Sequence, residues 1–429
     1  MVRSLRTLTL FAALVASGSL CSTNASAQVT TGSMRGSVTD STGIPLAGAR
    51  VKATHRPSGT EYRAITSSDG RWTLPGMRIG GPYTIEATRI GMAPQSKDGL
   101  IVTLGTSTDV VFKMGAIVTT LGAVTVTSTG GQISTTRTGA STTVPQQALE
   151  QLPTISRRID DFTRLTPQAS GSSFAGVDNR LNNITVDGAY FNNSFGLSGQ
   201  PGDRTGVAPI SLDAIEAIQV NIAPFDVRQG NFVGAAVNTV TKSGNNEFSG
   251  SVYYLTRDQD LVGKRVGGQK FNPGTFDFSQ IGVRLGGPII KNKLFFFASY
   301  ESDGLNEPGT TFQANTGTQP VGGQITRVRA GSLDSLSTYL ATNYNYITGP
   351  YQGYTHETPS ARLTAKLDYA FSDRSKFILR YTELTSETDV LLSNSSSLGA
   401  GTRRTNPWLR RPLCVTGNRA FILLRTGHE

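Results

Sequence analysis

Apolar and polar side chains alternate in short runs along much of this chain, and a period of two residues is typical of β-strands. In residues 30–115 these runs are separated by turn residues such as those of the Ser68-Asp69-Gly70 segment. The runs span residues 34–39, 50–55, 62–66, 71–74, 83–88 and 108–114. Short strands at this spacing predict a β-sandwich. Its predicted core residues are Val51, Trp72, Leu74, Tyr83, Ile85 and Val111.

The strictest alternation lies in residues 361–369, where apolar side chains occupy odd positions and polar side chains occupy even positions. The pattern resumes after a turn at residues 371–376, which predicts a hairpin. A second hairpin is predicted in residues 278–301, with its turn at residues 288–293. One face of such strands would meet lipid and the other a wet lumen, as in a transmembrane β-barrel. Soluble sheets alternate in the same way and are the alternative.

Aromatic residues of the second hairpin, Phe295, Phe297 and Tyr300, are typical of a girdle at a membrane interface. Residues 312–354 are polar and rich in Gly, Thr, Asn and Gln, which predicts a long extracellular loop. Two arginines of this loop are candidates for ligand contact, and solvated loop charges are the alternative. These arginines are Arg327 and Arg329.

The region between the sandwich and the hairpins has a mixed pattern. Residues 144–153 and 156–165 favour two short helices, and residues 182–188 favour a strand that ends in a turn. A strand is also predicted in residues 213–220, and a Gly-rich turn followed by a strand in residues 229–244. This order predicts an α+β unit.

The N-terminus is typical of a secretory signal in residues 1–27, because Arg3 and Arg6 precede an apolar run and Ala25-Ser26-Ala27 offers a cleavage site. An ordinary amphipathic helix is the alternative. No other run approaches the roughly 18 apolar residues of a transmembrane helix. Any span of a membrane is therefore predicted to consist of strands.

The formal net charge of +10 comes from 40 basic and 30 acidic residues. Two arginines lie in residues 1–27 and six in residues 399–429, and removing both ends leaves 32 basic against 29 acidic residues. This near balance argues against nucleic-acid binding. After removal of the signal only Cys414 remains, so no intrachain disulfide is expected and stability has to come from elsewhere, as in a closed barrel.

The first unit resembles the carboxypeptidase regulatory-like domain. The resemblance rests on G-x-V-x-D at residues 36–40, GIPLAGA-x-V at residues 43–51, SDGRW at residues 68–72 and G-x-Y at residues 81–83. It implies an accessory β-sandwich in residues 30–115 without peptidase chemistry, because the zinc ligands of the enzyme are missing. The fold is also grouped with carbohydrate-binding sandwiches, so Trp72 is a candidate for stacking on a sugar, as is Tyr83. Core packing is the alternative for both rings and the favoured one.

Residues 144–244 resemble the plug domain of TonB-dependent outer-membrane transporters of the Oar-like type. The pattern is an I-x-x-I-x-V strand, a Gly-rich turn and a closing G-x-x-N-x-x-T-K strand. The resemblance implies structural roles in the plug for Asn182, Asp187, Gly188, Gly230, Gly234, Asn238, Thr241 and Lys242. The match departs from the commonest plug pattern at residues 221–225, where most plugs have an arginine-glycine pair.

The linker in residues 116–143 contains a β-prone segment that resembles a TonB box, the strand that pairs with TonB. Its candidate contact residues are Val124, Thr125, Val126 and Thr127. Main-chain hydrogen bonds give the affinity in strand addition, so the side chains carry little specificity. A linker strand of the plug is the equal alternative.

The fold class predicted is mainly β: an N-terminal β-sandwich, an α+β plug domain, and the first strands of an incomplete transmembrane β-barrel in residues 248–398. A transporter barrel of this kind has roughly 22 strands, many more than these residues can supply. Residues 399–429 lose the alternation and gain two Arg-Arg pairs. We expect this tail to come from a truncated or frameshifted version of a longer gene, and a real basic tail is the alternative.

The resemblance implies active uptake, or export, of a bulky ligand such as a siderophore, a glycan or a peptide across the outer membrane of a Gram-negative-type bacterium. The implied partners are TonB with ExbB and ExbD, outer-membrane lipid and the unidentified ligand, and the sandwich would lie in the periplasm. The alternative is a non-transporting surface adhesin or carbohydrate-binding structural β protein. No enzyme motif and no metal cluster occurs in the sequence, so we expect neither catalysis nor a cofactor.

Overall fold

The computed structural model of the protein describes residues 30–116, 140–154, 157–192, 200–203, 205–222, 230, 232–267, 269–270, 274–310, 312–322, 324–372, 376–388 and 422–426. Three predicted segments lie outside these residues. They are the signal sequence, the candidate TonB-contact residues 124–127 and most of the tail in residues 399–429.

Seven strands in two sheets form the N-terminal unit, which we call the sandwich. They are β1 (Gly32–Asp40), β2 (Arg50–His55), β3 (Thr60–Ile65), β4 (Arg71–Met77), β5 (Gly80–Thr88), β6 (Gln95–Val102) and β7 (Ser107–Met114). One sheet has the order β4-β1-β7 and the other the order β3-β2-β5-β6. The predicted β-sandwich is therefore confirmed, with β6 as a strand that the sequence pattern missed.

The core of the sandwich confirms five of the six predicted core residues. These are Val51, Trp72, Leu74, Tyr83 and Ile85, all buried. The prediction for Val111 is wrong, because its side chain is 48% exposed. Val110, Phe112 and Met114 are the buried residues of β7, and the period of two places Val111 on the opposite face of the strand.

The second unit, which we call the central unit, contains two short helices and a five-stranded sheet. The helices are α1 (Gln146–Gln151) and α2 (Asp160–Thr163). The strands are β8 (Ala140–Pro145), β9 (Ala169–Ser170), β10 (Ser173–Phe174), β11 (Asn183–Val186), β12 (Ala189–Tyr190), β13 (Ile215–Ile222) and β14 (Ala235–Thr241). The sheet has the order β12-β11-β14-β13-β8, and β9 pairs with β10 separately. Every residue of β14 is buried, as expected of a strand with packed faces.

The third unit is an antiparallel sheet that we call the strand wall. Its six strands are β15 (Ser249–Asp258), β18 (Asp277–Ile290), β19 (Leu294–Pro308), β22 (Thr355–Ala370), β23 (Lys376–Ser386) and β24 (Ile422–Thr426), in that order across the sheet. Four short strands lie in its connections: β16 (Arg265–Val266), β17 (Gln269–Lys270), β20 (Gln313–Asn315) and β21 (Ile325–Arg329). Both predicted hairpins are confirmed by the pairing of β18 with β19 and of β22 with β23.

The two faces of the strand wall follow the predicted alternation. In β22 the polar side chains of Arg362, Thr364 and Lys366 are buried, and Lys366 contacts Thr241 of the central unit, whereas Leu367 lies on the other face. That other face exposes large apolar side chains, among them Val252, Tyr254, Ile281, Val283, Leu285 and Tyr300. The wall is thus apolar outside and polar inside, the arrangement that a lipid-facing sheet requires.

The strands of the wall are joined by short connections at one end of the sheet, which we call the short-turn end, and by long connections at the other, which we call the long-loop end. Residues 291–293 join β18 to β19 at the short-turn end, whereas residues 309–354 join β19 to β22 at the long-loop end. The predicted extracellular loop in residues 312–354 contains a 15-residue helix, α3 (Ala330–Tyr344), in addition to β20 and β21. The helix escaped sequence analysis because none of its residues is buried, so it has no strong apolar stripe.

Among the residues that the structure describes, none of the helices has both the length and the apolar character needed to cross a membrane.

Candidate functional site: the contact between the central unit and the strand wall

The turn between β11 and β12 carries the residue of the central unit that pairs with two strands of the wall. Asp187 and Gly188 are its two central residues, and both have positive φ angles, 46° and 81°. A two-residue hairpin turn of this kind favours an Asp-Gly sequence, because glycine adopts the left-handed conformation without strain and aspartate tolerates it. The predicted strand ending in a turn at residues 182–188 is therefore confirmed, and the turn positions the Asp187 carboxylate.

Asp187 is buried and joins the central unit to the strand wall. Its carboxylate accepts hydrogen bonds from the backbone N–H of Thr241 at 2.8 Å and from the Thr241 hydroxyl at 2.5 Å. It also pairs with Arg380 of β23 at 3.2 Å and with Lys366 of β22 at 3.7 Å. Burial by itself would raise the pKa of Asp187, but these two cations and the Thr241 donors hold it below its usual value. Asp187 is therefore ionised at neutral pH.

The predicted asparagines fix the start and the middle of β14. Asn182 accepts a hydrogen bond from the Ala235 N–H at 3.1 Å and donates one to the Ser172 carbonyl at 2.9 Å. A Cβ atom on Gly234 would lie 2.3 Å from the Asn182 side-chain oxygen, so this approach requires glycine. Asn238 accepts a hydrogen bond from the Thr185 hydroxyl at 3.1 Å.

Gly230, the remaining glycine of the predicted set, contributes only its backbone to this region. Its carbonyl accepts a hydrogen bond from the Asn183 side-chain amide at 2.9 Å. Gly230 lies between segments that fall outside the described residues.

Lys242 forms a second charged contact where β14 leaves the sheet. Its ammonium lies 3.6 Å from Glu150 and 3.8 Å from Asp213. Asp213 also pairs with Arg284 of the strand wall at 3.0 Å and accepts a hydrogen bond from the Ser251 hydroxyl at 2.6 Å. Burial and the Arg284 charge lower the pKa of Lys242, while Asp213 and Glu150 oppose this shift.

A third charged cluster was not found by sequence analysis. Glu301 of β19 pairs with Arg362 at 2.9 Å and accepts a hydrogen bond from the Ser211 hydroxyl of the central unit at 2.7 Å. Glu301 also contacts the Tyr253 hydroxyl, and Arg362 contacts Asp303. The available signal was charge at the alternate positions that face inward, because a buried charge needs a partner.

The predicted aromatic girdle is wrong for two of its three residues. Phe295 and Phe297 are buried, at 3% and 4% exposure, whereas Tyr300 is 45% exposed on the outer face. Phe297 belongs to the same hydrophobic cluster as Leu212 and Ile215 of the central unit. Alternation assigned these side chains to one face or the other, but Phe295 and Phe297 have the parity of the inner face.

The arrangement therefore resembles a reversible electrostatic attachment. Charged groups of both units meet around Asp187 and Lys242. The ion pairs of the Glu301 cluster lie within the strand wall, and the Ser211 hydroxyl joins that cluster to the central unit. In the part of the chain that the structure describes, no group of three His, Cys, Asp or Glu residues could hold a metal ion. The loop arginines Arg327 and Arg329 are exposed at the long-loop end of the strand wall.

Comparison with known proteins identifies two regions of the chain. Residues 33–115 match the carboxypeptidase regulatory-like domain, and residues 240–410 match an outer membrane β-barrel domain. The chain is 27% identical over 315 residues to the TonB-dependent transporter Oar of Myxococcus xanthus, covering 67% of this chain and 28% of Oar. It is also 27% identical over 173 residues to a probable TonB-dependent siderophore receptor, PirA of Acinetobacter baumannii, covering 36% of this chain and 21% of PirA.

Among solved structures, the outer membrane transporter YddB of Escherichia coli is similar over 58% of this chain and 33% of YddB, with 15% identity and a TM-score of 0.39. The chain thus spans about a quarter of the length of the curated relatives that it matches. The predicted outer-membrane location is confirmed by the barrel-domain match. The expectation that the chain is not an enzyme agrees with the names of these relatives, a transporter and a receptor.

Proposed function

We propose that this chain is part of a TonB-dependent transporter related to Oar, with a carboxypeptidase regulatory-like domain and an outer membrane barrel domain, and that the transporter takes up a bulky ligand. In this proposal the central unit acts as the plug and the strand wall as part of the barrel around it. Oar is named a transporter and PirA a siderophore receptor. A siderophore, a glycan or a peptide is the proposed class of ligand, and export is the alternative direction.

The observation that carries the proposal is the charged contact around Asp187. A plug has to stay in place without ligand and has to move when energy is supplied. Ion pairs and hydrogen bonds suit this task, because water can replace each of them when the surfaces separate. The polar inner face of the strand wall supplies Lys366 and Arg380 for this purpose.

The connections of the strand wall give the orientation that we propose. Outer-membrane barrels have short periplasmic turns and longer extracellular loops. The sandwich lies at the short-turn end of the strand wall, where the backbone N–H of Asn246 donates a hydrogen bond to the carbonyl of Pro57 at 2.8 Å. The sandwich would therefore face the periplasm, where TonB acts, and the loop with α3, Arg327 and Arg329 would face the exterior.

TonB is the proposed energy source, and ExbB and ExbD would drive it. TonB would pair with the segment at residues 124–127. Strand addition requires backbone donors and acceptors, and a proline removes a donor.

The competing function, an adhesin that binds sugar through the sandwich, has less support. The rings of Trp72 and Tyr83 are 3% and 0% exposed, so neither can stack on a glycan in this conformation.

The test is photo-crosslinking of the whole protein in cells that contain TonB. A benzoylphenylalanine at Val126 should give an adduct with TonB, and the additional substitution Val124→Pro should abolish it. The same probe at Ser41, an exposed residue of the sandwich, is the matched control and should give no adduct. A protein that reaches the outer membrane and gives no adduct at any of the four candidate positions would exclude the TonB role.

A further inference from the structure

Three turns at one end of the sandwich contact the rest of the chain. They lie between β2 and β3, between β4 and β5, and between β6 and β7. Together they reach both the central unit and the strand wall, so the sandwich spans the seam between these two units.

The turn between β4 and β5 carries Arg78, which holds the end of the central unit. Its guanidinium donates hydrogen bonds to the carbonyl of Ser243 at 3.0 Å and to the carbonyl of Gly244 at 3.1 Å. The backbone of Arg78 is itself fixed, because its N–H donates to the Tyr62 hydroxyl and its carbonyl accepts from the Tyr83 hydroxyl. Arg78 is thus preorganised to grip the segment where β14 leads into the strand wall.

An apolar contact lies beside Arg78. Ile79 and Leu104 of the sandwich form a separate buried cluster with Ala217 of β13 and Val240 of β14. The Gln219 side-chain amide adds a hydrogen bond to the Leu104 carbonyl at 3.2 Å. The sandwich therefore touches the two neighbouring strands β13 and β14 of the central sheet.

The strand wall is held by different residues of the same end. The ammonium of Lys376, the first residue of β23, lies 4.2 Å from the centre of the Tyr62 ring, a cation–π distance. Gly59 packs against Asn292 in the short turn between β18 and β19. The central unit cannot shift along the wall without breaking the contacts of Arg78 or those of Tyr62.

The interface is nevertheless small enough to separate. Two cavities, of about 100 Å³ and about 140 Å³, flank Arg78 and Ile79. Both have charged side chains in their lining, including Glu216 in each. Cavities of this size can hold water where polar groups line them, and the buried apolar cluster at this contact consists of four side chains, two of them from the sandwich.

We propose that the sandwich is an autoinhibitory clamp, which holds the central unit against the strand wall through Arg78 and the Ile79–Leu104 contact until transport releases it. This inference rests on the proposed function, because it assigns a regulatory role to a domain beside the plug. It predicts that the sandwich stays bound without a covalent link, and that its release loosens β13 and β14.

The first experiment uses the full chain with a protease site inserted in residues 117–139, in outer membranes from cells without TonB. After cleavage and washing, the wild-type sandwich should remain with the membranes. Arg78→Ala should release it at least about tenfold more completely, because hydrogen bonds from a charged donor are lost. Arg71→Ala is the matched control, since Arg71 is exposed and its ion pair with Asp69 lies within the same unit. Loss of the wild-type sandwich on cleavage would overturn the clamp.

The second measurement is amide hydrogen exchange of β13 and β14 in the uncleaved chain. Arg78→Ala should accelerate exchange there by roughly tenfold, whereas Arg71→Ala should leave it at the wild-type rate. If Arg78→Ala releases the sandwich after cleavage but leaves exchange in β13 and β14 of the uncleaved chain unchanged, the sandwich is docked without inhibiting. That result would also overturn the proposal. Neither readout needs TonB, so missing adducts at all four candidate positions would contradict the transport proposal and leave the clamp to be decided here.

Discussion

Replacing Asp187 by asparagine removes the charge at the centre of the contact between the central unit and the strand wall, and little else. The new side chain keeps an oxygen that accepts the Thr241 N–H, so the geometry of the turn is preserved. The substitution leaves Lys366 and Arg380 without their anion, with side chains only 4% and 1% exposed. Among the described residues, two of the three guanidinium nitrogens of Arg380 have no hydrogen-bond partner, which makes Asp187 its main compensation.

The cost follows from the burial of the two cations. Breaking a buried ion pair by removing one partner costs about 3–5 kcal/mol. Each 1.4 kcal/mol lost from the free energy of local opening accelerates amide exchange about tenfold. Exchange in β14 should therefore accelerate by roughly 100- to 3,000-fold if the strand opens locally. Hydrogen exchange of the peptide that contains Ala235–Thr241, measured on the purified chain in detergent, gives this factor directly.

Two further variants test whether the missing charge is the cause. Asp277→Asn removes an exposed carboxylate of the strand wall, which accepts only from Asn306, and should change stability by less than about 0.5 kcal/mol. Adding Lys366→Met to Asp187→Asn should restore part of the protection, because one unpaired cation is gone. Wild-type exchange rates in Asp187→Asn would refute the view that this charge holds the central unit.

Two other predictions concern packing and pH. Phe297→Ala should lower the stability by about 3–5 kcal/mol, because Phe297 is buried among side chains of the central unit. Phe296→Ala, on the outer face, should cost less than half as much in thermal unfolding, and equal losses would contradict the assigned faces. Burial, followed by the Arg78 and Lys376 charges, lowers the pKa of His55 to about 3. Since unfolded histidine takes up its proton near pH 6.5, the unfolded state binds more protons between these values, and stability falls as the pH drops. The loss from pH 6.5 to pH 5 should be about 2 kcal/mol and should shrink in His55→Gln, followed by Trp72 fluorescence in a Trp408→Phe background; identical slopes would disprove it.

Local patterns predicted much of the fold because strands and turns depend on neighbouring residues. The alternation of residues 361–369 and the Asp187-Gly188 turn both carry their signal within a few positions. The errors arose where the signal depends on the rest of the molecule. Alternation separates two faces but does not tell which one is buried, and this explains the error at Val111. Phe295 and Phe297 were grouped with Tyr300 although odd and even positions of one strand lie on opposite faces.

The charged contacts were only partly predictable for a related reason. Asp187 was singled out by the plug pattern, but its partner Arg380 lies 193 residues away in the sequence. A lone inward-facing charge indicates that a partner exists without identifying it. Helix α3 was missed because none of its residues is fully buried, so its apolar stripe is weak.

The direction of β8 has a mechanical consequence for the central sheet. Ala140 lies opposite Ile222, and Pro145 lies opposite Ala217, so β8 enters at one end of β13 and runs toward the other. Ile215, at that other end, pairs with Thr241 beside the sandwich. A pulling force on Ala140 directed toward the sandwich would peel β8 from β13. The hydrogen bonds between the two strands would break one pair at a time, starting at Ala140. Peeling needs less force than shearing the whole ladder at once, so β8 would detach first, and β14, anchored through Asp187, would resist longest.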